Sequence, residues 1–159
     1  MMQINVRIAD YAVAERGAVL VTNGIGSCVA IVLYEREAKI GALAHILLPH
    51  ASLTAVHEPP TKSVTAAVPV MVRRMRELNG NGEIEARLVG GASMFAQLLA
   101  PGSLSLDSRN IVATRAACAA ADITTIAEDI GGAHGRSVVF DVDNGGLLVK
   151  SIAKGDVRL

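Results

Sequence analysis

Two apolar runs joined by a short polar link constrain the fold of this chain more than any other feature. The first run, VAIVLY, occupies residues 29–34, and the second, IGALAHILLP, occupies residues 40–49. The first is rich in β-branched side chains, which is typical of a buried strand. Because the link between the runs is only five residues long, we expect two strands that lie side by side.

The remaining patterns add further strands and two helices. Alternating or apolar segments predict strands at residues 3–8, 18–22, 84–89 and 123–128, and a hairpin of residues 136–140 and 147–152 through an Asn-Gly turn. Apolar residues at steps of three and four predict one helix from Lys62 to Asn79-Gly80, in which Pro69 either delays the start or introduces a kink. Asp107 or Ser108 is the expected N-cap of a second helix that runs to about Ala121. These elements predict a single mixed α/β domain over residues 1–159, with a strand-rich core and two main helices.

Charge and hydropathy exclude several classes of partner. The formal net charge is zero and the pI is about 6.9, which removes the electrostatic argument for binding nucleic acid or an anionic membrane surface. No apolar run reaches the roughly 18 residues that span a bilayer, and the N-terminus lacks the pattern of a secretory signal. We therefore expect a soluble cytoplasmic protein whose two cysteines are reduced.

The candidate chemistry lies where the first apolar run begins. The string TNGIGSC at residues 22–28 places the Cys28 thiol where a glycine-containing loop becomes a strand, and His45 lies in the middle of the neighbouring strand. A thiol beside an imidazole is the arrangement of a cysteine nucleophile with its base. We expect Thr22 to orient the imidazole, and a nearby imidazolium and backbone N–H groups to lower the pKa of the thiol. The N–H of Cys28, with another from the Gly26-Ser27 turn, is the expected oxyanion hole.

Each of these residues also has an ordinary structural explanation. A lone cysteine at a strand start is usually a small buried hydrophobe, and a lone histidine in an apolar strand is usually a core residue. The glycine turn lacks the third glycine of a dinucleotide fingerprint and the lysine of a P-loop, and no histidine or cysteine spacing is typical of zinc. We therefore expect no metal and no cofactor. The other expected structural residues are Cys118, Met71 and Met75 in the core, and His50, His57 and His134 on the surface or in loops.

Five motifs together resemble one known family. They are TNGIGSCVA at 22–30, GALAHILLP at 41–49, GGASMF at 90–95, RN at 109–110 and EDIGG at 128–132. In this order they resemble the chemoreceptor glutamine deamidase family, CheD. The resemblance implies a mixed α/β sandwich that hydrolyses selected glutamine side chains of methyl-accepting chemotaxis receptors to glutamate and ammonia. It also implies Cys28, His45 and Thr22 as the catalytic residues, and for some members a CheC-type phosphatase as partner.

Two segments depart from the family pattern, and two other functions remain open. The chain has PPTKSV at 59–64 where the family commonly has a charged and aromatic segment, and Asp107-Ser108 where it usually has Ile-Gly. The first alternative is a regulatory protein that binds a phosphatase or receptor through a surface around residues 90–95. The second is hydrolysis of receptor methyl esters through the same thioester. For the deamidase, the loop at residues 50–60 is the expected edge that contacts the substrate.

Overall fold

The computed structural model describes residues 1–47, 63–93 and 106–159, and within them the chain forms ten strands and two helices. The expected substrate-contacting loop, His50 and His57 lie outside the described residues. The strands are β1 (Met2–Asn5), β2 (Asp10–Ala14), β3 (Ala18–Ile25), β4 (Val29–Glu35), β5 (Ile40–Ile46), β6 (Ile84–Gly90), β7 (Thr124–Ile130), β8 (Arg136–Asp141), β9 (Gly146–Lys150) and β10 (Val157–Arg158). The helices are α1 (Val64–Glu77) and α2 (Leu106–Ala120).

The ten strands form two five-stranded sheets of mixed direction. The first sheet has the order β1-β3-β8-β9-β10, and the second has the order β2-β5-β4-β6-β7. In the second sheet β4 is central and pairs antiparallel with both β5 and β6. The predicted mixed α/β fold with a strand-rich core and two helices is confirmed.

Two apolar cores explain why the two diagnostic runs are continuous rather than alternating. One core, which includes Leu20, Val32 and Phe140, joins the inner faces of the two sheets. The other packs the opposite face of the second sheet against α1 and α2. Because β4 and β5 have a core on each side, every residue of both strands is buried.

Helix α1 follows its predicted apolar stripe closely. Val64, Val68, Met71 and Met75 are all buried, and the helix ends where Asn79 adopts a left-handed φ of 67°. The helix begins at Val64, so a start delayed by Pro69 is wrong. The proline lies exposed inside the helix, where packing of the buried stripe against the sheet stabilises the helix despite the lost N–H.

Other boundaries differ from the predictions in ways that have local causes. Helix α2 begins at Leu106, so Asp107 and Ser108 fall in its first turn and neither is the N-cap. The sequence patterns missed β2, which is paired by β5, and the two-residue β10. The first strand ends at Asn5 instead of Ile8. Among the described residues, no helix is long and apolar enough to cross a membrane.

Candidate functional site

A bulge near the end of β3 allows Thr22 and Ile25 to lie on the same, buried face of the strand. Thr22 pairs with Val138 of β8, and the next pair is Ile25 with Arg136, so three steps on β3 match two on β8. Gly24 lies within this interval with a left-handed φ of 69°, which a glycine adopts without strain. As a result Thr22 and Ile25 are both buried, although they are three residues apart.

Thr22 and His45 meet between the two sheets. The Thr22 Oγ1 lies 2.8 Å from His45 Nδ1, and the same hydroxyl donates a hydrogen bond of 2.7 Å to the Val6 carbonyl. A carbonyl only accepts, so the one hydroxyl hydrogen is used on Val6 and Oγ1 must accept from Nδ1–H. The contact therefore selects the imidazole tautomer in which Nε2 carries the lone pair.

The Nε2 atom of His45 keeps its lone pair unused by the described residues. It is buried and has no hydrogen-bond partner among the described residues. Burial lowers the pKa of His45, so the neutral imidazole is favoured at neutral pH. A threonine hydroxyl offers no negative charge to offset this effect, in contrast to a carboxylate partner.

Cys28 lies near His45 in the register of β4 and β5. Ala30 of β4 pairs directly with His45 of β5, and Cys28 lies two positions before Ala30, immediately before the start of β4. The thiol is buried and free, and it makes no hydrogen bond to Nε2. The structure joins Thr22 to His45 through a hydrogen bond and places Cys28 next to the strand pair that contains His45.

The direction of the Cys28 pKa differs from the expectation. Burial raises the pKa of the thiol, and a hydrogen bond to its own backbone opposes this shift only in part. The expected lowering is wrong because desolvation of the buried thiol outweighs the effect of the backbone N–H. The resting pair is thus a neutral thiol and a neutral imidazole.

The loop that carries Cys28 is anchored through its carbonyl groups. The Gly26 carbonyl accepts from the Ala92 N–H at 2.9 Å, and the Cys28 carbonyl accepts from the Gly91 N–H at 2.8 Å. Gly90 has a φ of 120°, and a Cβ there would lie 2.4 Å from the Cys28 carbonyl oxygen. Only glycine permits this approach of β6 to the loop.

Comparisons with known proteins identify the family. Residues 47–151 match the model of the family described as CheD chemotactic sensory transduction. The chain belongs to the CheD family. The chemoreceptor glutamine deamidase CheD of Thermotoga maritima is 35% identical over 94% of this chain and 92% of its own. The probable chemoreceptor glutamine deamidase CheD 1 of Methanosarcina acetivorans is 35% identical over 96% of this chain and 94% of its own. The probable chemoreceptor glutamine deamidase CheD of Thermococcus kodakarensis is 33% identical over 98% of this chain and 97% of its own.

Two motifs of the CheD resemblance, residues 90–95 and residues 128–132, bond to each other next to the Cys28 loop. The Gly131 N–H donates to the Gly90 carbonyl at 2.9 Å, and the Ser93 N–H donates to the Gly132 carbonyl at 2.8 Å. Arg136 is buried, and it donates to the Gly131 carbonyl and contacts Asp129 at 3.2 Å. The glycine segments of the family pattern therefore pack on one another beneath Cys28.

The same packing corrects the alternative binding surface. Gly90, Gly91 and Ala92 are buried under the Cys28 loop, so they do not form an exposed contact surface. Ser93 is half-buried, and Met94 and Phe95 lie outside the described residues. Of these positions, Gly90 is explained by the close approach of the Cys28 carbonyl.

The described residues that were predicted to be structural lie in the core or in a loop, as expected. Cys118 is fully buried and burial raises the pKa of its thiol to about 11, which is the environment of a core cysteine. Met71 and Met75 are also in the core, whereas His134 is half-buried in a loop. No group of three metal-ligating side chains occurs in the described part of the chain.

Sequence reasoning did not predict the hydrogen bonds of Asn110. In the sequence it stands out only as part of a family motif, yet it is fully buried and contacts both the Cys28 loop and the residue that follows β5. Its position on α2, distant in sequence from both partners, left no local pattern that could have predicted the contact.

Proposed function

We propose that this chain is a protein-glutamine deamidase that acts on the cytoplasmic part of methyl-accepting chemotaxis receptors. Family membership supports the reaction class, since the relatives named above are chemoreceptor glutamine deamidases. The observation that carries the mechanism is the Thr22 to His45 hydrogen bond, because it selects the tautomer whose Nε2 can accept the proton of a nearby thiol.

In the first half of the reaction, a thioester forms and ammonia leaves. His45 Nε2 takes the Cys28 proton as the sulfur attacks Cδ of the substrate glutamine. The N–H of Cys28 and an N–H of Gly26 or Ser27 stabilise the negative charge on the carboxamide oxygen. The carbonyl groups of these residues accept hydrogen bonds from other parts of the protein, which fixes the loop. His45 then returns the proton to the nitrogen as the C–N bond breaks.

In the second half, water hydrolyses the thioester. His45 Nε2 takes a proton from the water as its oxygen attacks Cδ, and the C–S bond breaks to give glutamate. The proton returns to sulfur and restores the thiol. Because the resting thiol and imidazole are both neutral, proton transfer accompanies the attack of sulfur rather than preceding it as a stable ion pair.

The test of the reaction is the mass of a purified receptor cytoplasmic fragment after incubation with the wild-type protein. Conversion of glutamine to glutamate adds about one mass unit per site and releases one ammonia. Cys28→Ala should abolish the gain, and Cys118→Ala, which removes the other buried thiol, should retain it. Deamidation by Cys28→Ala would refute the cysteine mechanism.

Hydroxylamine separates the thioester route from direct attack by water. The nucleophile should divert the intermediate to a glutamyl hydroxamate, which is about 16 mass units heavier than glutamine. Hydroxamate formation with wild type and none with Cys28→Ala is expected. Glutamate formation without any hydroxamate would argue against a covalent intermediate.

The same incubations decide between the deamidase and its alternatives. A receptor fragment that is bound but gains no mass would favour the regulatory binding protein. A methylated fragment that loses methanol would indicate ester hydrolysis through the same thioester. Binding to a CheC-type phosphatase stays a prediction of the resemblance, and co-purification with such a protein from the same organism would test it.

A further inference from the structure

Asn110 joins the backbone segments that carry the candidate nucleophile and base. Its Nδ2 donates to the Ser27 carbonyl at 3.3 Å and to the Leu47 carbonyl at 3.1 Å. Two carbonyl acceptors require the NH₂ group on this side, so the orientation of the amide is determined and both of its hydrogens are used. The side chain is fully buried on α2.

The two acceptors flank the reacting groups. Ser27 directly precedes Cys28, and Leu47 follows His45 by two residues at the point where β5 has ended. Strand pairing ends with Val29 and Ile46, so the ladder does not hold these two carbonyls. Helix α2 thus connects the Cys28 loop to the segment that follows β5 through the side chain of Asn110.

Burial of the Asn110 amide costs free energy of desolvation unless its hydrogen bonds compensate for it. The Oδ1 atom of Asn110 is buried with no hydrogen-bond partner among the described residues. An unpaired buried oxygen destabilises the fold, and an apolar side chain would avoid that cost while filling the space. The two bonds from Nδ2 are therefore the contribution that an apolar residue could not replace.

We propose that Asn110 is a positioning residue that holds the Cys28 loop against the end of the His45 strand. The inference rests on the proposed function, since it assigns Asn110 to the same site. Its two bonds keep the thiol at attacking distance from Nε2 and keep the loop closed to water. Without them the loop separates from β5, and a displacement of about 1 Å at a reacting group costs on the order of 100-fold in rate.

The experiment compares Asn110→Ala with Thr114→Val. Thr114 lies one turn further along α2 and is fully buried. Within the described part of the chain its hydroxyl bonds only to the Asn110 backbone carbonyl, so its loss affects the helix without releasing the loop. The first readout is the steady-state kinetics of deamidation. The second is the rate of alkylation by iodoacetamide at Cys28 and at Cys118, measured by peptide mass spectrometry between pH 7 and 10.

For Asn110→Ala we expect kcat to fall by about 10- to 100-fold while KM changes little. At the same time Cys28 should be alkylated about tenfold faster near pH 8, since hydration of the loop returns its raised pKa toward the ordinary value. Cys118 should stay as protected as in wild type, which shows that the fold is intact. Thr114→Val should resemble wild type in kcat and in the ratio of Cys28 to Cys118 labelling.

Two results would overturn the positioning function. One is an unchanged kcat with an unchanged labelling ratio, and the other is equal acceleration at both cysteines, which indicates a general structural role. If Asn110→Ala does not fold, the ratio of Cys28 to Cys118 labelling is measured in Asn110→Asp, where a carboxylate faces the two carbonyl oxygens. A ratio equal to that of wild type in this variant overturns the proposal. Because alkylation needs no receptor, the comparison remains decisive even if the wild-type protein deamidates none.

Discussion

At the scale of single residues, the two nitrogens of His45 have different neighbours and therefore different hydrogen-bonding states. Nδ1 is committed to Thr22, whose own hydrogen is committed to Val6, and Nε2 is left with its lone pair. The chain from backbone carbonyl to hydroxyl to imidazole orients the ring without any charge. This differs from a triad with a carboxylate, which would also stabilise the imidazolium.

Removal of the Thr22 hydroxyl should weaken the base without removing it. In Thr22→Val the Nδ1–H and the Val6 carbonyl both lose their partner, so the ring can adopt the other tautomer; we expect kcat to fall about tenfold, less than for His45→Ala. Thr22→Ser keeps the hydroxyl and should keep most of the activity. Imidazole ¹⁵N shifts would report the tautomer directly, and a loss equal to that of His45→Ala would show that Thr22 does more than orient the ring.

The pH dependence of activity follows from the same residue. Since burial lowers the pKa of His45, the imidazole stays neutral and active as the pH falls through 6.5. The value of kcat/KM reports the protonation of groups in the free enzyme. We expect kcat/KM to decline on the acid side only below pH 6.5. A profile that already declines above pH 7 on the acid side would contradict a neutral, desolvated base.

At the scale of elements, three glycine-containing segments pack on one another. They are the Cys28 loop, the end of β6 and the turn after β7. The end of β6 bonds to the Cys28 loop, and the turn after β7 bonds to the end of β6. Arg136, the first residue of β8, holds that turn in place. The Cys28 loop is therefore anchored by backbone hydrogen bonds, and its closest approach to β6 requires a residue without a Cβ at Gly90.

Gly90→Ala should test that close approach. A methyl group at Gly90 meets the Cys28 carbonyl and the Ile25 side chain, so we expect the free energy of unfolding to fall by about 1–3 kcal/mol beyond the cost of the positive φ, with loss of deamidation. Gly155→Ala is the matched control, because its φ is 78° and nothing lies within 4 Å of the added methyl. Urea unfolding and activity assays on both variants suffice, and equal losses of stability in the two would disprove the steric argument.

At the scale of the whole molecule, burial favours the neutral form of four titratable groups, which are His45, Cys28, Cys118 and Tyr34. It lowers the pKa of His45 and raises the pKa values of Cys28, Cys118 and Tyr34, so the folded state prefers the neutral form of each. Below pH 6.5 the unfolded chain binds a proton at His45 that the folded chain does not bind. Above pH 9.0 the unfolded thiols lose protons that the folded chain retains. Stability contributed by these groups is therefore greatest between these limits.

Urea unfolding at several pH values would measure this linkage. We expect the free energy of unfolding to fall below pH 6.5, and to fall again from pH 9.0 up to about 11 as the Cys118 contribution is lost. Cys118→Ala lowers stability at neutral pH because it leaves a small cavity, but it should flatten the alkaline decline. An alkaline slope identical to that of wild type would show that Cys118 does not titrate differently in the two states.

Local patterns predicted most of the elements and all three members of the candidate triad. Apolar runs, helical periodicity and the Asn-Gly turn depend on neighbours in the chain, so β4, β5, α1 and the β8–β9 hairpin follow from them. The order of the family motifs pointed to Cys28, His45 and Thr22. Short edge elements such as β2 were missed because their pairing, rather than their own sequence, makes them strands.

The chemistry of the site depends on contacts between residues that are far apart in the sequence. Val6 and Thr22 are 16 residues apart, Thr22 and His45 are 23 apart, and Ser27 and Asn110 are 83 apart. Tautomer, pKa direction and loop position are set by which polar group faces which, and by how much water is excluded, and neither is encoded in a local pattern. The sequence alone determined which residues carry the candidate chemistry, and the tertiary structure decided their protonation and geometry, because burial and partner atoms come from the whole fold.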